Sequence, residues 1–230
     1  MLYLFLCLLS CQIGYSVDGN QVTFESHATS GYIRGVENSV KSSVVLQCWK
    51  DGEQIGKGSG NYLQEGIYKF ILTASHVVDG CDDVHVLDKR GSTVLSKVKY
   101  SDKDKDVAIL VAENELQTVK PAKMRLEKSG DILGKEIYFM GHPDELNFFL
   151  FKGIAAMETD KDIFLHSTAW AGTSGAVVFS KQGKIVGVVS AVKVVMDPIT
   201  GWPRILEDLV LVSKADYLTR RFLKNIMDGE

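Results

Sequence analysis

Apolar residues in this chain fall into many short runs rather than a few long ones, and glycine, aspartate and lysine clusters separate them. Residues 40–49 read as a strand, carrying Val44, Val45, Leu46 and Trp49. Asp51-Gly52 turns the chain, and glycine-dense 56–60 leads into strand-like 61–63 and 67–73. Further runs at 84–87, 94–100 and 107–111 follow, with Lys89-Arg90-Gly91-Ser92 as the turn between the first two. Residues 113–134 carry charges, Pro121 and Gly130, and read as a crossing between two halves. The second half repeats the pattern at 136–140, 148–154, 155–158, 163–167, 176–180, 184–195 and 209–212. Over 214–227, Leu218, Phe222, Leu223 and Ile226 recur at helical spacing. The fold class predicted is all-β, with two six-stranded antiparallel β-barrels packed side by side and a C-terminal α-helix. The organisation expected is a first barrel over 36–115, an inter-barrel crossing over 116–134, a second barrel over 135–213 and the helix over 214–227.

The first sixteen residues break the pattern. They carry no charge, and Leu2 to Leu9 is a continuous apolar run, too short to span a bilayer but suited to a signal-peptide core. Gly14 and Ser16 allow cleavage after Ser16, which leaves 17–35 as an extended arm or short hairpin. Leu8-Leu9-Ser10-Cys11 also resembles a bacterial lipobox, which would leave Cys11 lipidated and bring the protein to a membrane. A third reading keeps the stretch in place as an apolar strand or anchor. Export is the expectation, whether secreted, periplasmic or lipid-anchored at the cell surface.

The 230-residue chain is long enough for a substantial core. A net charge of −3 with no clustered basic stripe gives no reason to expect nucleic acid. Outside the leader only Cys48 and Cys81 remain; they could form one disulfide, although spacing alone does not pair them. No C-x-x-C pair or His/Cys cluster points to a metal, and no cofactor is implied.

The candidate chemistry centres on Ala171-Gly-Thr-Ser-Gly-Ala-Val-Val178, a tight turn presenting Ser174 between Gly172 and Gly175. Backbone N–H groups of such a turn can converge on a developing oxyanion. Ile71-Leu-Thr-Ala-Ser-His-Val-Val ends a strand in small residues and sets His76 at the start of a turn. Asp106 directly precedes Val-Ala-Ile-Leu, a carboxylate at the mouth of a buried strand and suited to orienting an imidazole; Asp102 and Asp104 lie farther out and are expected to be solvated. An α/β-hydrolase needs a histidine after its serine, and none follows Ser174. The subtilisin order needs an acid before the histidine and alternating strands and helices, which the pattern lacks.

Together these windows resemble the trypsin-like serine peptidases: Thr73-Ala-Ser-His-Val-Val their His block, Asp106-Val-Ala-Ile-Leu their Asp block, Gly172-Thr-Ser-Gly-Ala their Ser block. Met140-Gly-His-Pro143, Gly153-Ile154 and Gly187-Val-Val-Ser-Ala191 are similar to the compact bacterial HtrA/Deg-like branch. The likeness covers roughly residues 36–222. Ala176 and Thr173 depart from the family's usual glycine and its Asp or Asn, and neither position supplies a catalytic atom. No PDZ-like segment follows in this sequence, so the regulated, oligomeric behaviour of HtrA proteins is not implied.

The resemblance implies a serine endopeptidase acting on protein or peptide substrates through His76, Asp106 and Ser174, with the amides of Gly172 and Ser174 as oxyanion hole. It implies Ser190 as a partner of Asp106 and a substrate strand along Ser190, Ala191 and Val192. The specificity pocket should have its base near Thr168 and its wall from Val189 to Val192. No acid stands at Thr168 and no histidine at Val189, which argues against Lys, Arg or Glu before the cut. Val192 should favour small or medium apolar residues. His166 is expected to be structural, His142 solvated, and Trp170 either a cleft residue or turn packing. The alternative is a catalytically silent binding module of the same fold, lipid-anchored if Cys11 is modified.

Overall fold

The computed structural model of the chain describes residues 15–18, 21–24, 33–143, 146–196, 201 and 203–229. It divides into two units, residues 1–32 and 33–230. In the first, β1 (Tyr15–Asp18) and β2 (Gln21–Phe24) pair as an antiparallel hairpin, with Ser16 opposite Thr23. Residues 1–14 of the expected leader, Cys11 among them, lie outside the described residues, as do residues 197–200.

The second unit opens with α1 (Arg34–Ser42), a helix that apolar periodicity does not reveal. Its inward face is Gly35, Ser39 and Ser42, small residues at helical spacing. The serine hydroxyls donate back to Gly35 O (2.8 Å) and Asn38 O (2.6 Å), so their polar atoms are satisfied where they are buried. A side chain at Gly35 would run into Ser180 O, which sets how closely this helix approaches its neighbours.

The first barrel then forms from β3 (Ser43–Lys50), β4 (Glu53–Glu65), β5 (Tyr68–Thr73), β6 (Asp83–Leu87), β7 (Thr93–Asp102) and β8 (Val107–Ala112). The order β3-β6-β7-β8-β5-β4 closes through β3–β4 pairing. A single helical turn, α2 (Ser75–Val78), follows β5. The glycine-dense stretch is not a break but the middle of β4. Side chains at Gly58 or Gly60 would collide with Val77 or Ile71, so glycine is what lets other elements cross this strand closely. Cys48 on β3 and Cys81 beyond α2 are joined by a disulfide, with Cα atoms 5.3 Å apart.

The crossing is ordered by both barrels. Within it β9 (Ala122–Lys123) adds to β4 in parallel, and Ile185 exchanges backbone hydrogen bonds with Arg125 and Glu127. The second barrel closes as β10-β11-β12-β15-β14-β13, from β10 (Glu136–Gly141), β11 (Phe149–Glu158), β12 (Asp162–His166), β13 (Val177–Ser180), β14 (Ile185–Met196) and β15 (Pro203–Lys214). The two runs expected at 148–154 and 155–158 are one strand, β11, bulged between Ala155 and Met157. Lys214, at the end of β15, is buried on Glu158 (2.7 Å) and donates to Ser129 Oγ and Thr159 O. The helix α3 (Arg220–Asp228) starts later than the spacing suggests, because β15 runs through Lys214 and Thr219 caps the helix by accepting from Phe222 N.

Two cores result. One fills the second barrel with Ile137, Phe139, Phe151, Leu165, Val189 and their neighbours. The other joins Leu46, Phe70, Ile71 and Ile109 of the first barrel to Val177, Phe179 and Val188 of the second, and takes in Leu218 and Leu223. Burying Val177, Phe179 and Val188 in the first barrel's core docks the barrels on each other and brings their loop ends to one seam.

Candidate active site

Strand β5 ends at Thr73 and Ala74 follows it, both fully buried, and α2 then carries His76 out to the seam with its side chain 49% exposed. Asp106 closes the turn before β8 at φ +49°, left-handed backbone that aspartate tolerates better than most residues. Its carboxylate accepts from the His76 amide (3.0 Å) and faces His76 Nδ1 at 2.8 and 3.0 Å. An ionised carboxylate only accepts, so Nδ1 carries the proton and Nε2 is left as a base. Ser190 Oγ also donates to Asp106 Oδ2. Burial would raise the Asp106 carboxyl, but the His76 ring, the Ser190 hydroxyl, the His76 amide and the imidazole charge together hold it below the ordinary carboxylate range.

Ser190 reaches Asp106 through a fault in the ladder. On β14, Val189 faces Val212 and Ala191 faces Leu211, so Ser190 is the extra residue of a β-bulge. The bulge frees Ser190 from the barrel's inside-outside alternation and aims it across the seam. Its carbonyl accepts the Ser174 hydroxyl at 3.4 Å. Among the described residues no hydrogen bond joins Ser174 Oγ to His76; both lie at the seam and are linked through Asp106 and Ser190.

The turn that bears Ser174 is held from outside. Gly172 and Gly175 adopt φ +90° and +89°. Thr173 N donates to Trp170 O, Gly175 N to Val189 O and Ala176 N to Thr173 O. Among the described residues the amides of Gly172 and Ser174 have no protein acceptor. A side chain at Gly175 would overlap Ser59 O and Thr73 Oγ1, so the serine turn sits directly on the strands that lead to His76.

The other expected site residues lie on β14 and in the loop after β12. Ala191 is exposed on β14, and Thr168 is exposed in the loop after β12. The Val189 side chain is 1% exposed in the second core, because it precedes the bulge and still obeys the barrel's alternation. The side chain of Val192 lies outside the described residues, although its backbone pairs with Val210. His166 is exposed, 3.8 Å from Asp208. Trp170 remains 43% exposed while packing edge-on against Phe149 and Phe151. Among the described residues no group of three His, Cys, Asp or Glu is arranged to hold a metal.

Two residues were not anticipated. His142 is fully buried, not solvated: Nδ1 accepts from Phe148 N (2.9 Å) and Nε2 meets Ser43 Oγ (2.9 Å). Burial first, and then the positive charges of Lys57 and Lys89, push it down to about 3, so the ring is neutral. Ser59 is also fully buried and touches the serine turn, β5 and His142. Its only trace in the sequence is the pair of flanking glycines.

Residues 58–188 match the family model for a trypsin-like peptidase domain. The chain is 25% identical over 238 residues to a "Serine protease HtrA-like" protein of Staphylococcus aureus (strain USA300), covering 87% of this chain and 30% of that protein. It thus spans about 30% of the length of that curated relative. Among solved structures, the serine endoprotease from Yersinia pestis aligns with a TM-score of 0.67 at 18% identity, over 89% of this chain and 70% of that one. An HtrA-type protease, AlgW with tripeptide, aligns at 0.67 and 20% identity, over 87% and 65%. These two likenesses concern the fold.

Proposed function

The chain belongs to the trypsin-like peptidase family, and on that premise we propose that it is a serine endopeptidase with His76, Asp106 and Ser174 as its triad. The observation that carries this reading is the linked set at the seam, where His76 rests on Asp106, Asp106 on Ser190, and the Ser190 carbonyl takes the Ser174 hydroxyl. In the reaction Ser174 Oγ turns from Ser190 to His76, attacks the peptide carbonyl and passes its proton to Nε2. The tetrahedral oxyanion falls to the unengaged amides of Gly172 and Ser174, each donor contributing about 3–4 kcal/mol. His76 then protonates the leaving amine as the C–N bond breaks. Water repeats the sequence on the acyl-enzyme, restoring Ser174 and releasing the acid.

The substrate chain adds to β14. Pairing with β13 stops at Val188, which leaves the same edge of Ser190 to Val192 for an extended peptide, and the Ser190 carbonyl then exchanges the serine hydroxyl for a substrate N–H. Neither Thr168 nor Val192 is a charged residue type that would match Lys, Arg or Glu, so the residue taken before the cut is small or medium and apolar. Export fits the Cys48–Cys81 disulfide, a bond typical of oxidising compartments; lipidation at Cys11 is an open branch of this reading.

A fluorophosphonate probe tests the nucleophile. The wild type should be labelled on Ser174 and should cleave peptides, and Ser174→Ala should lose both. A folded wild type that takes no label makes the chain a silent binding module; a Ser174→Ala protein that still cleaves refutes the assignment.

A further inference from the structure

We infer that Ser59 is a positioning residue, a clamp that holds the oxyanion turn in its working shape. The inference rests on the peptidase reading above. Gly172-Thr-Ser-Gly175 begins and ends in glycine, the residue that least resists rotation of its neighbouring peptides. The turn's own bonds run along the chain: Thr173 donates to Trp170 O through both its hydroxyl and its amide, and Thr173 O accepts from Ala176 N. Ser59 adds a hold from the other barrel. Ser59 N donates to Ser174 O at 2.8 Å, and Ser59 Oγ donates to Gly172 O at 2.7 Å.

Those two carbonyls bracket the Thr173–Ser174 peptide, whose N–H is one of the two oxyanion donors. The carbonyl of that peptide, Thr173 O, accepts from Ala176 N (3.1 Å), so the turn holds it from within while Ser59 pins the peptide on either side of it to the first barrel. The clamp is itself stiff. Ser59 Oγ accepts from His142 N (3.0 Å), and Ser59 O accepts from Thr73 Oγ1 (2.7 Å), three residues before His76 on the chain. One fully buried residue therefore references the oxyanion turn to the strand that delivers the base and to the end of β10. Away from water such bonds hold geometry well, and misplacement of reacting groups by about 1 Å can lower rate about 100-fold.

The experiment compares Ser59→Ala, Ser59→Thr and Ser43→Ala with the wild type. Ser43→Ala is the control for stability: it removes another fully buried hydroxyl of the first barrel, one that bonds His142 and Met140 O but not the turn. In Ser59→Ala, kcat should fall about 10- to 100-fold with KM within about twofold, and affinity for a peptide boronate, which forms the tetrahedral adduct on the serine, should fall by the same factor. Affinity for a product peptide should not change. Ser59→Thr, which keeps the hydroxyl, should recover most of the rate, and Ser43→Ala should lose stability without this pattern. Equal losses in Ser59→Ala and Ser43→Ala overturn the inference, and so does a boronate affinity that tracks product affinity. A Ser59→Ala protein that does not fold transfers the decision to Ser59→Thr, where unchanged folding with the rate still depressed also counts against it. A wild type that neither cleaves nor takes the fluorophosphonate overturns the peptidase reading and this inference with it; an active wild type matched by Ser59→Ala overturns this inference alone.

Discussion

Asp106 does the most with one side chain. It accepts the His76 ring, the His76 amide and the Ser190 hydroxyl, and it does so from left-handed backbone. The amide bond fixes where the carboxylate sits, and the ring bond fixes the tautomer. Asp106→Asn keeps size and tolerance of the backbone but must offer an amide N–H or a neutral oxygen to Nδ1. The expected outcome is a fall in kcat of about ten-thousand-fold with KM nearly unchanged, since the base is then held in the wrong tautomer. Steady-state kinetics beside a thermal melt checks it, and a loss of a few-fold would remove Asp106 from the proposed triad. The carboxyl lies below its ordinary range in the fold, so its contribution to stability is complete above roughly pH 4 and is lost as pH falls through the lower folded value. Of these partners, His76 and Asp106 were legible from the sequence because each sits where an apolar strand meets a polar turn. Ser190 was legible only by resemblance, since nothing in Val-Val-Ser-Ala announces a bulge.

At the level of elements, strands were readable and their joins were not. The short runs of β-formers located the barrel strands, because a half-buried strand must alternate or run apolar. The helix α1 escaped because it buries glycine and serine instead of leucine, and its polar atoms are satisfied locally. Strand β4 was cut short in the reading because its glycines signal a turn locally, whereas the fold uses them for close crossing. The disulfide was open because pairing is a matter of distance, and distance follows only from β3 and α2 meeting. Closing a separation of 33 residues, it should contribute about 3–4 kcal/mol, mostly by restricting the unfolded chain. It also ties the segment just after α2 to β3, so it steadies the element that carries His76. Reduction, or Cys81→Ser, should lower the urea midpoint by that equivalent and reduce kcat/KM more gently, with the barrels still folded. Equal midpoints with and without dithiothreitol would mean that the bond contributes nothing measurable.

For the whole molecule, the decisive region is the seam, and buried His142 is its acid-sensitive point. The ring belongs to the end of β10, yet Ser43 of the first barrel meets its Nε2, and its amide donates to Ser59 of the same barrel. Its Nδ1 must stay bare to accept Phe148 N, so protonation would break one bond and bury a charge beside Lys57 and Lys89. The folded state therefore keeps the ring neutral down to about 3, while the unfolded side chain takes a proton near its ordinary value of about 6.5. Between those values the unfolded chain binds one more proton, so stability rises with pH across the window and is lost as pH falls through it. The slope from this group alone is about 1.4 kcal/mol per pH unit. Below roughly pH 4 the loss steepens, because the unfolded chain then protonates Asp106 and Glu158, whose carboxyls the fold holds below their usual range. His142→Asn offers an acceptor to Phe148 and a donor to Ser43 without a titrating ring. Its urea midpoint should lie below the wild type's at pH 7 but change far less between pH 6.5 and 4, so that the two curves converge on acidification. Parallel curves would show that the seam's histidine does not set the acid limit of the fold.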